Sequence, residues 1–248
     1  MNEAASAVLL AVSHGTSSSA GQAAVAALVA AVAAGDAAAG AAAAGMTPPV
    51  AVHGGFVDVQ RPSVSDLIDA LAPGQSAVIV PLLLSAGYHV HVDITNAAKV
   101  SGRAVAVASA LGPDDRLVSV LQRRLTEAGA TEDDSIVLAV AGSSDARAVA
   151  DCRDMARRLS QSRGRPVAVG FLAAAVPSLA EAMASARAVA PDARLVVSSY
   201  LLAPGHFQDL VLAAGADVVT EPLLTPDAPV PPELAALVWD RFRAASPH

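Results

Sequence analysis

The chain contains one lysine, one cysteine and few aromatic residues: one tryptophan, two tyrosines and four phenylalanines among 248 residues. Each shortage excludes something. A lone cysteine, Cys152, rules out an internal disulfide and a cysteine-cluster metal site. It falls in the stripe Val149, Cys152, Ala156, Leu159 at helical spacing, which assigns the thiol to a buried apolar face rather than to a nucleophile. Lys99 stands alone beside fifteen arginines, the net charge is −7, and no segment combines basic residues with aromatics, so no nucleic-acid partner is expected. The start of the chain has no basic n-region and carries Glu3, so no secretory leader is expected. The alanine-rich run 20–44 is weakly apolar, but Val25, Leu28, Val29 and Val32 form one helical stripe and Asp36 interrupts it. That pattern describes a helix packed on a core, not a membrane span. The expectation is a cytoplasmic protein without a membrane partner.

What is present is aliphatic. Hydrophobic residues make up 54% of the chain, mean hydropathy is +0.49, and the core must be built from Ala, Val and Leu. Short Val-rich runs buried on both faces, alternating with helices that carry the Arg, Asp and Glu, predict parallel sheets covered on both sides. The pattern also repeats. Val8–Ser13 can be laid over Ile136–Ala141, Phe56–Ser63 over Phe171–Ser178, and Ala77–Leu84 over Leu195–Leu202, in the same order. Both copies of the last run lead into glycine and histidine, Gly87-Tyr88-His89 and Gly205-His206. The predicted fold is α/β: two similar open, flavodoxin-like parallel-sheet domains from an internal duplication, spanning residues 1–126 and 134–248 with a polar link between them.

In open parallel sheets, ligands bind beyond the carboxyl ends of the strands, at the switch point. The first three strand ends carry Ser13-His14-Gly15, then His53 to Asp58, then Gly87-Tyr88-His89. His14, Asp58 and His89 are thereby expected on one rim, and two imidazoles with a carboxylate suit a divalent first-row metal with coordination positions left open. The alignment places Gly142 opposite His14 and Ala173 opposite Asp58, so the scaffold is repeated and the polar groups are not. His53 and His91 are expected to be ordinary hydrogen-bonded residues, and Asp93 or Thr95 is expected to cap the following helix.

The ordered set His14-Gly15, Phe56-Val57-Asp58 with Pro62-Ser63, and Pro81-Leu82-Leu83-Leu84 followed by Gly87-Tyr88-His89 and Asp93-Ile94 resembles the class II chelatases. More specifically it is similar to the sirohydrochlorin chelatases in their long, two-half form, and the likeness spans the chain. The resemblance implies an enzyme that inserts Fe2+ or Co2+ into a sirohydrochlorin-type tetrapyrrole in sirohaem or cobalamin biosynthesis. It implies no permanently bound cofactor, because the divalent metal ion is itself a substrate. His14 and His89 match the family's metal-binding histidines and would share ligand and base roles. Asp58 stands where many members have glutamate, and Thr16-Ser17-Ser18 follow Gly15 where many have Ser-Arg. Arg61, Lys99, Arg103 and His206 are candidates to contact the polycarboxylate substrate. A monomer is expected, since the duplication supplies both walls of a cleft. Two alternatives use the same region: a non-catalytic carrier of metal or tetrapyrrole with the same residues, and histidine phosphoryl transfer, which wants an arginine beside the histidine where this chain has Ser13.

Overall fold

A computed structural model describes residues 7–42, 50–85 and 87–246, with the side chains of 36–42 and 88–91 outside the described set. Sixteen elements alternate strictly between strand and helix among these residues. The first half runs β1 (Val8–Ser13), α1 (Ser19–Ala42), β2 (Val52–Phe56), α2 (Val64–Asp69), β3 (Ala77–Pro81), α3 (Tyr88–Val100), β4 (Val105–Val107) and α4 (Asp115–Glu127). The second runs β5 (Ser135–Val140), α5 (Ala146–Arg163), β6 (Val167–Phe171), α6 (Leu179–Val189), β7 (Leu195–Tyr200), α7 (His206–Leu212), β8 (Val218–Val219) and α8 (Pro232–Ala245). All pairings are parallel, in two four-stranded sheets ordered β2-β1-β3-β4 and β6-β5-β7-β8. No described helix is long and apolar enough to cross a membrane.

Pairing and hydrogen bonds fix the repeat register, and they correct the sequence alignment of the first strand by one residue. Ser13 pairs with Phe56 and Val140 with Phe171, so Val140 is the counterpart of Ser13. The Asp58 amide donates to the His14 carbonyl just as the Ala173 amide donates to the Ala141 carbonyl. The residue opposite His14 is therefore Ala141, and Gly142 is opposite Gly15. The same turn follows in each half: a residue at positive φ (Val59 at 65°, Ala174 at 55°), then a serine capping box, Ser63 with Asp66 and Ser178 with Glu181.

The two halves are held by an exchange of their last helices. α4 ends the first half but packs on α5 and β7, whereas α8 ends the second and packs on α1 and β3. Their apolar faces (Leu117, Val120, Leu121 and Leu125 of α4; Leu234, Leu237 and Val238 of α8) enter one buried cluster that draws on both sheets. Separate clusters cover the outer faces. Polar groups then fasten the exchange. The buried Arg124 of α4 donates to the carbonyls of Pro222 and Leu223, each at 3.0 Å. Trp239 Nε1 of α8 donates to the Val32 carbonyl at 3.1 Å. Arg241 donates to Ala110 O and Leu111 O, both at 2.9 Å. Asp114, the N-cap of α4, pairs with Arg116 and Arg241, and Arg116 also reaches Asp240 at 2.6 Å.

Because α4 fills a core common to both sheets, its loss is felt throughout. Leu121→Ala is expected to cost about 2–5 kcal/mol and to lower the urea midpoints followed by Trp239 fluorescence and by far-ultraviolet circular dichroism together. Separate transitions would show that the halves fold independently. Partial burial pushes the Asp114 pKa up, but hydrogen bonds and charge from Arg116, then the charge of Arg241, outweigh it and hold the carboxyl below its usual value. Its contribution is present above the unfolded value of about 3.9 and is lost as pH falls through the lower folded value. Asp114→Asn keeps a capping oxygen but should flatten the acid limb of unfolding free energy against pH below about 4, measured by urea titration. An unchanged acid limb would remove Asp114 from the account.

Candidate active site

In each sheet the chain reverses its winding between the first and third strands, β1 and β3 or β5 and β7, which opens a crevice at their carboxyl ends. The helix exchange turns the two crevices toward each other. Between them lies a cavity of about 680 Å3, lined from β1 by Ser13 to Ser17, from β3 by Leu82 to Ser85 and Gly87, from β5 by Val140 to Ser143, and from β7 by Tyr200 to Phe207. Its volume falls within the roughly 300–1,000 Å3 of small-molecule sites. Apolar groups dominate its walls, and among the described residues no lysine, arginine, aspartate or glutamate lines it. Among the described residues, its imidazoles are His14 from the first half and His206 from the second.

Backbone contacts hold His14 at the rim. β1 is buried through Ser13, and the chain then leaves the sheet through Gly15 at φ 98°. A methyl added there would lie 2.1 Å from the Asp58 carbonyl oxygen and 3.4 Å from Val59 Cβ, so only glycine fits. Thr16 donates its amide to Gln60 Oε1 at 2.9 Å, which ties the β1 loop to the β2 loop. The His14 ring itself is exposed. On the far side, Tyr200 donates its hydroxyl to the Leu84 carbonyl at 2.9 Å, closing the floor between the halves. Burial holds the Tyr200 pKa well above normal, so the group remains a donor. Cys152 also faces the floor; burial pushes its thiol up to about 11, with Ser85 as a partner, so it stays neutral near pH 7. The α1 entrance is close against the second half: a methyl at Gly21 would meet the Pro204 carbonyl oxygen at 2.3 Å.

The expected site residues separate into two groups. His14 and His206 line the cavity. His89 is the second residue of α3, at the mouth; its side chain, like that of His91, lies outside the described residues. Asp58 is joined to His14 through the backbone, but its carboxylate accepts the Val59 amide at 2.7 Å and stabilises its own turn. No three His, Cys, Asp or Glu side chains gather among the described residues. The cationic candidates are elsewhere. Arg61 pairs with Asp66 at 2.6 Å; the Ser63 amide, and then Arg61, hold that carboxyl at about 2. Arg103 donates to the Leu71 carbonyl at 2.7 Å, at the end of α2, just before β4 and hence at the opposite edge of the sheet. Lys99 lies in the last turn of α3, which returns to that same edge. None of the three lines the cavity. α3 begins at Tyr88 behind Gly87, so Asp93 and Thr95 are inside it and neither caps it. Sequence reasoning missed Gln60, Tyr200, Val59 and Phe207 as lining residues; Phe207 occupies the position after His206 that His89 occupies after Tyr88, a signal the repeat contained.

The fold is that of two open α/β halves closing on one cavity. The CbiX family model matches residues 8–128 and 135–217, and the chain belongs to that family. Two relatives named sirohydrochlorin cobaltochelatase are similar over part of the chain. The Sulfurisphaera tokodaii protein is 30% identical over 79 residues, 31% of this chain and 66% of its own length. The Sulfolobus acidocaldarius protein is 32% identical over 88 residues, 34% of this chain and 72% of its own length. The fold is similar to SirB from Bacillus subtilis with Fe3+, at TM-score 0.71 and 20% identity, covering 95% of this chain and 94% of that one. It also resembles CbiX, described as the terminal enzyme for biosynthesis of siroheme in denitrifying bacteria, at TM-score 0.63 and 18% identity, covering 94% and 98%.

If the Gly15 turn sets the rim, Gly15→Ala must either displace Asp58 or strain the backbone. We expect it to lower unfolding free energy by at least about 2 kcal/mol, and Gly142→Ala to do the same, since a methyl there would lie 1.9 Å from the Ala173 carbonyl oxygen. A neutral Gly15→Ala in denaturant unfolding would contradict the geometry.

Proposed function

We propose that the protein is a sirohydrochlorin chelatase that inserts Co2+ or Fe2+ into the reduced tetrapyrrole within the cavity between its halves. The observation that carries this reading is His14, in a chain of the CbiX family, on the wall of an apolar cavity large enough for a small-molecule ligand. Insertion exchanges two pyrrole N–H protons for one divalent ion, so the site needs a donor set the metal can leave and a group that accepts protons. Neutral imidazole, with an ordinary pKa of about 6.5, does both near neutrality. His14 and His89, at the carboxyl-end openings of β1 and β3, are assigned to the metal ion and to the departing protons; Asp58 completes the set or orients an imidazole through its turn.

The uncharged walls favour the apolar faces of the macrocycle, and their low polarity strengthens the contacts the metal makes. The peripheral carboxylates of the substrate then project toward solvent and loop amides, since Arg61, Lys99 and Arg103 do not reach the cavity. Cobalt and iron both accept imidazole and carboxylate. The assignment to either rests on the relatives' names and on availability of the metal.

The test is anaerobic insertion of Co2+ and Fe2+ into sirohydrochlorin, followed by absorbance. His14→Ala and His89→Ala should each lower kcat/KM by 100-fold or more, on the order expected for loss of a general base or ligand, with circular dichroism unchanged. His53→Ala, on the exposed part of β2 away from the cavity, should be neutral. Full insertion by both variants would overturn the assignment, and binding without turnover in the wild type would make the protein a carrier.

A further inference from the structure

Two exposed apolar side chains stand at the cavity from opposite halves: Val59 at 59% exposure and Phe207 at 38%. Their positions in the duplication make them informative. Val59 sits at φ 65°, a left-handed conformation that a β-branched residue seldom adopts and that costs about 1–3 kcal/mol. The second half makes the same turn with Ala174, so the turn does not require valine. The strain is held in place: Asp58 Oδ1 accepts the Val59 amide at 2.7 Å, and the Asp58 carbonyl accepts the Gln60 amide at 2.7 Å. Val59 then lies against Gly15, next to His14. Phe207 is the second residue of α7, as His89 is of α3, each behind a glycine N-cap. The half that has Ala141 opposite His14 thus also has an aromatic ring opposite His89. His206 packs beside it, ring centroids 5.7 Å apart.

We propose that Val59 of the first half and Phe207 of the second form an apolar clamp on the flat faces of the tetrapyrrole, so that both halves hold the ring while the metal is bound on the first-half wall. The proposal rests on the chelatase reading for the identity of the ligand. It accounts for two features that folding leaves unexplained: an exposed valine where alanine suffices, and an exposed phenylalanine on a cavity wall. Burying an aromatic ring and a valine methyl pair against a macrocycle removes apolar area from water, and ring stacking adds to it. The clamp selects a planar ligand and makes no claim on the metal.

The experiment measures equilibrium binding of metal-free sirohydrochlorin by quenching of Trp239 or by ligand absorbance, and of Co2+ alone by calorimetry. Phe207→Ala should raise the sirohydrochlorin Kd by about tenfold, Phe207→Tyr should restore it, and Co2+ affinity should be the same in all three proteins. Val59→Gly should raise the sirohydrochlorin Kd severalfold while leaving the Tm equal or higher, because it relieves a strained turn. Loss of Tm together with affinity would mean that Val59 serves only the fold. Unchanged sirohydrochlorin binding in both variants would overturn the clamp, even if the wild type inserts metal. Conversely, a wild type that binds sirohydrochlorin through these residues but never inserts metal would sink the chelatase reading and leave the clamp standing.

Discussion

The structure depends on one packing arrangement: each half surrenders its last helix to the sheet of the other. Leu121 of α4 and Leu237 of α8 belong to the same buried cluster, although one closes the first half and the other the second. Neither sheet has a complete inner layer of its own. This requirement orients the halves, and it makes their two carboxyl-end crevices open onto one space. Burial of aliphatic surface supplies the free energy, while Arg124, Arg241 and Trp239 bond to backbone carbonyls across the exchange and fix its angle. The cavity follows from that geometry rather than from any one loop.

Within this near-symmetric frame the two walls have diverged. The β1 loop carries His14 where the β5 loop has Ala141, and α3 carries His89 where α7 has Phe207. The backbone turns are the same, down to Gly15 and Gly142, each lying against a carbonyl of the neighbouring loop. Shared turns with unlike side chains separate what the fold needs from what the site needs. A duplicated scaffold of this kind lets the side chains on one wall change while the shared turns are kept.

Much of this was legible in the residues. The alternation of strand and helix, parallel pairing, the buried stripe of α5 and the carboxyl-end location of His14 all follow from apolar patterning and the rules for open sheets. What escaped has physical causes. β1 and β5 are buried on both faces, so no alternation of polar and apolar residues marks their register, and a slip of one residue went unopposed. α3 starts behind Gly87 with no side-chain cap, which leaves no local signal for its beginning and made Asp93 and Thr95 resemble caps. Arg61 and Arg103 were drawn toward the site by proximity in sequence, whereas Asp66 and the exposed end of α2 claim them in space. Phe207 carries no local sequence signal of a site, because a single aromatic residue is as compatible with a core as with a cavity wall. Only its repeat position and its exposure distinguish it.

The central claim is that a metal ion is taken up on the first-half wall of the shared cavity. The direct measurement is anomalous diffraction at the cobalt edge from crystals of the protein grown or soaked with Co2+. The account predicts an anomalous peak inside the cavity beside the His14 imidazole, on the side where α3 begins. A peak confined to the second-half wall or to the outer surface, with the His14 side unoccupied at saturating Co2+, would contradict it.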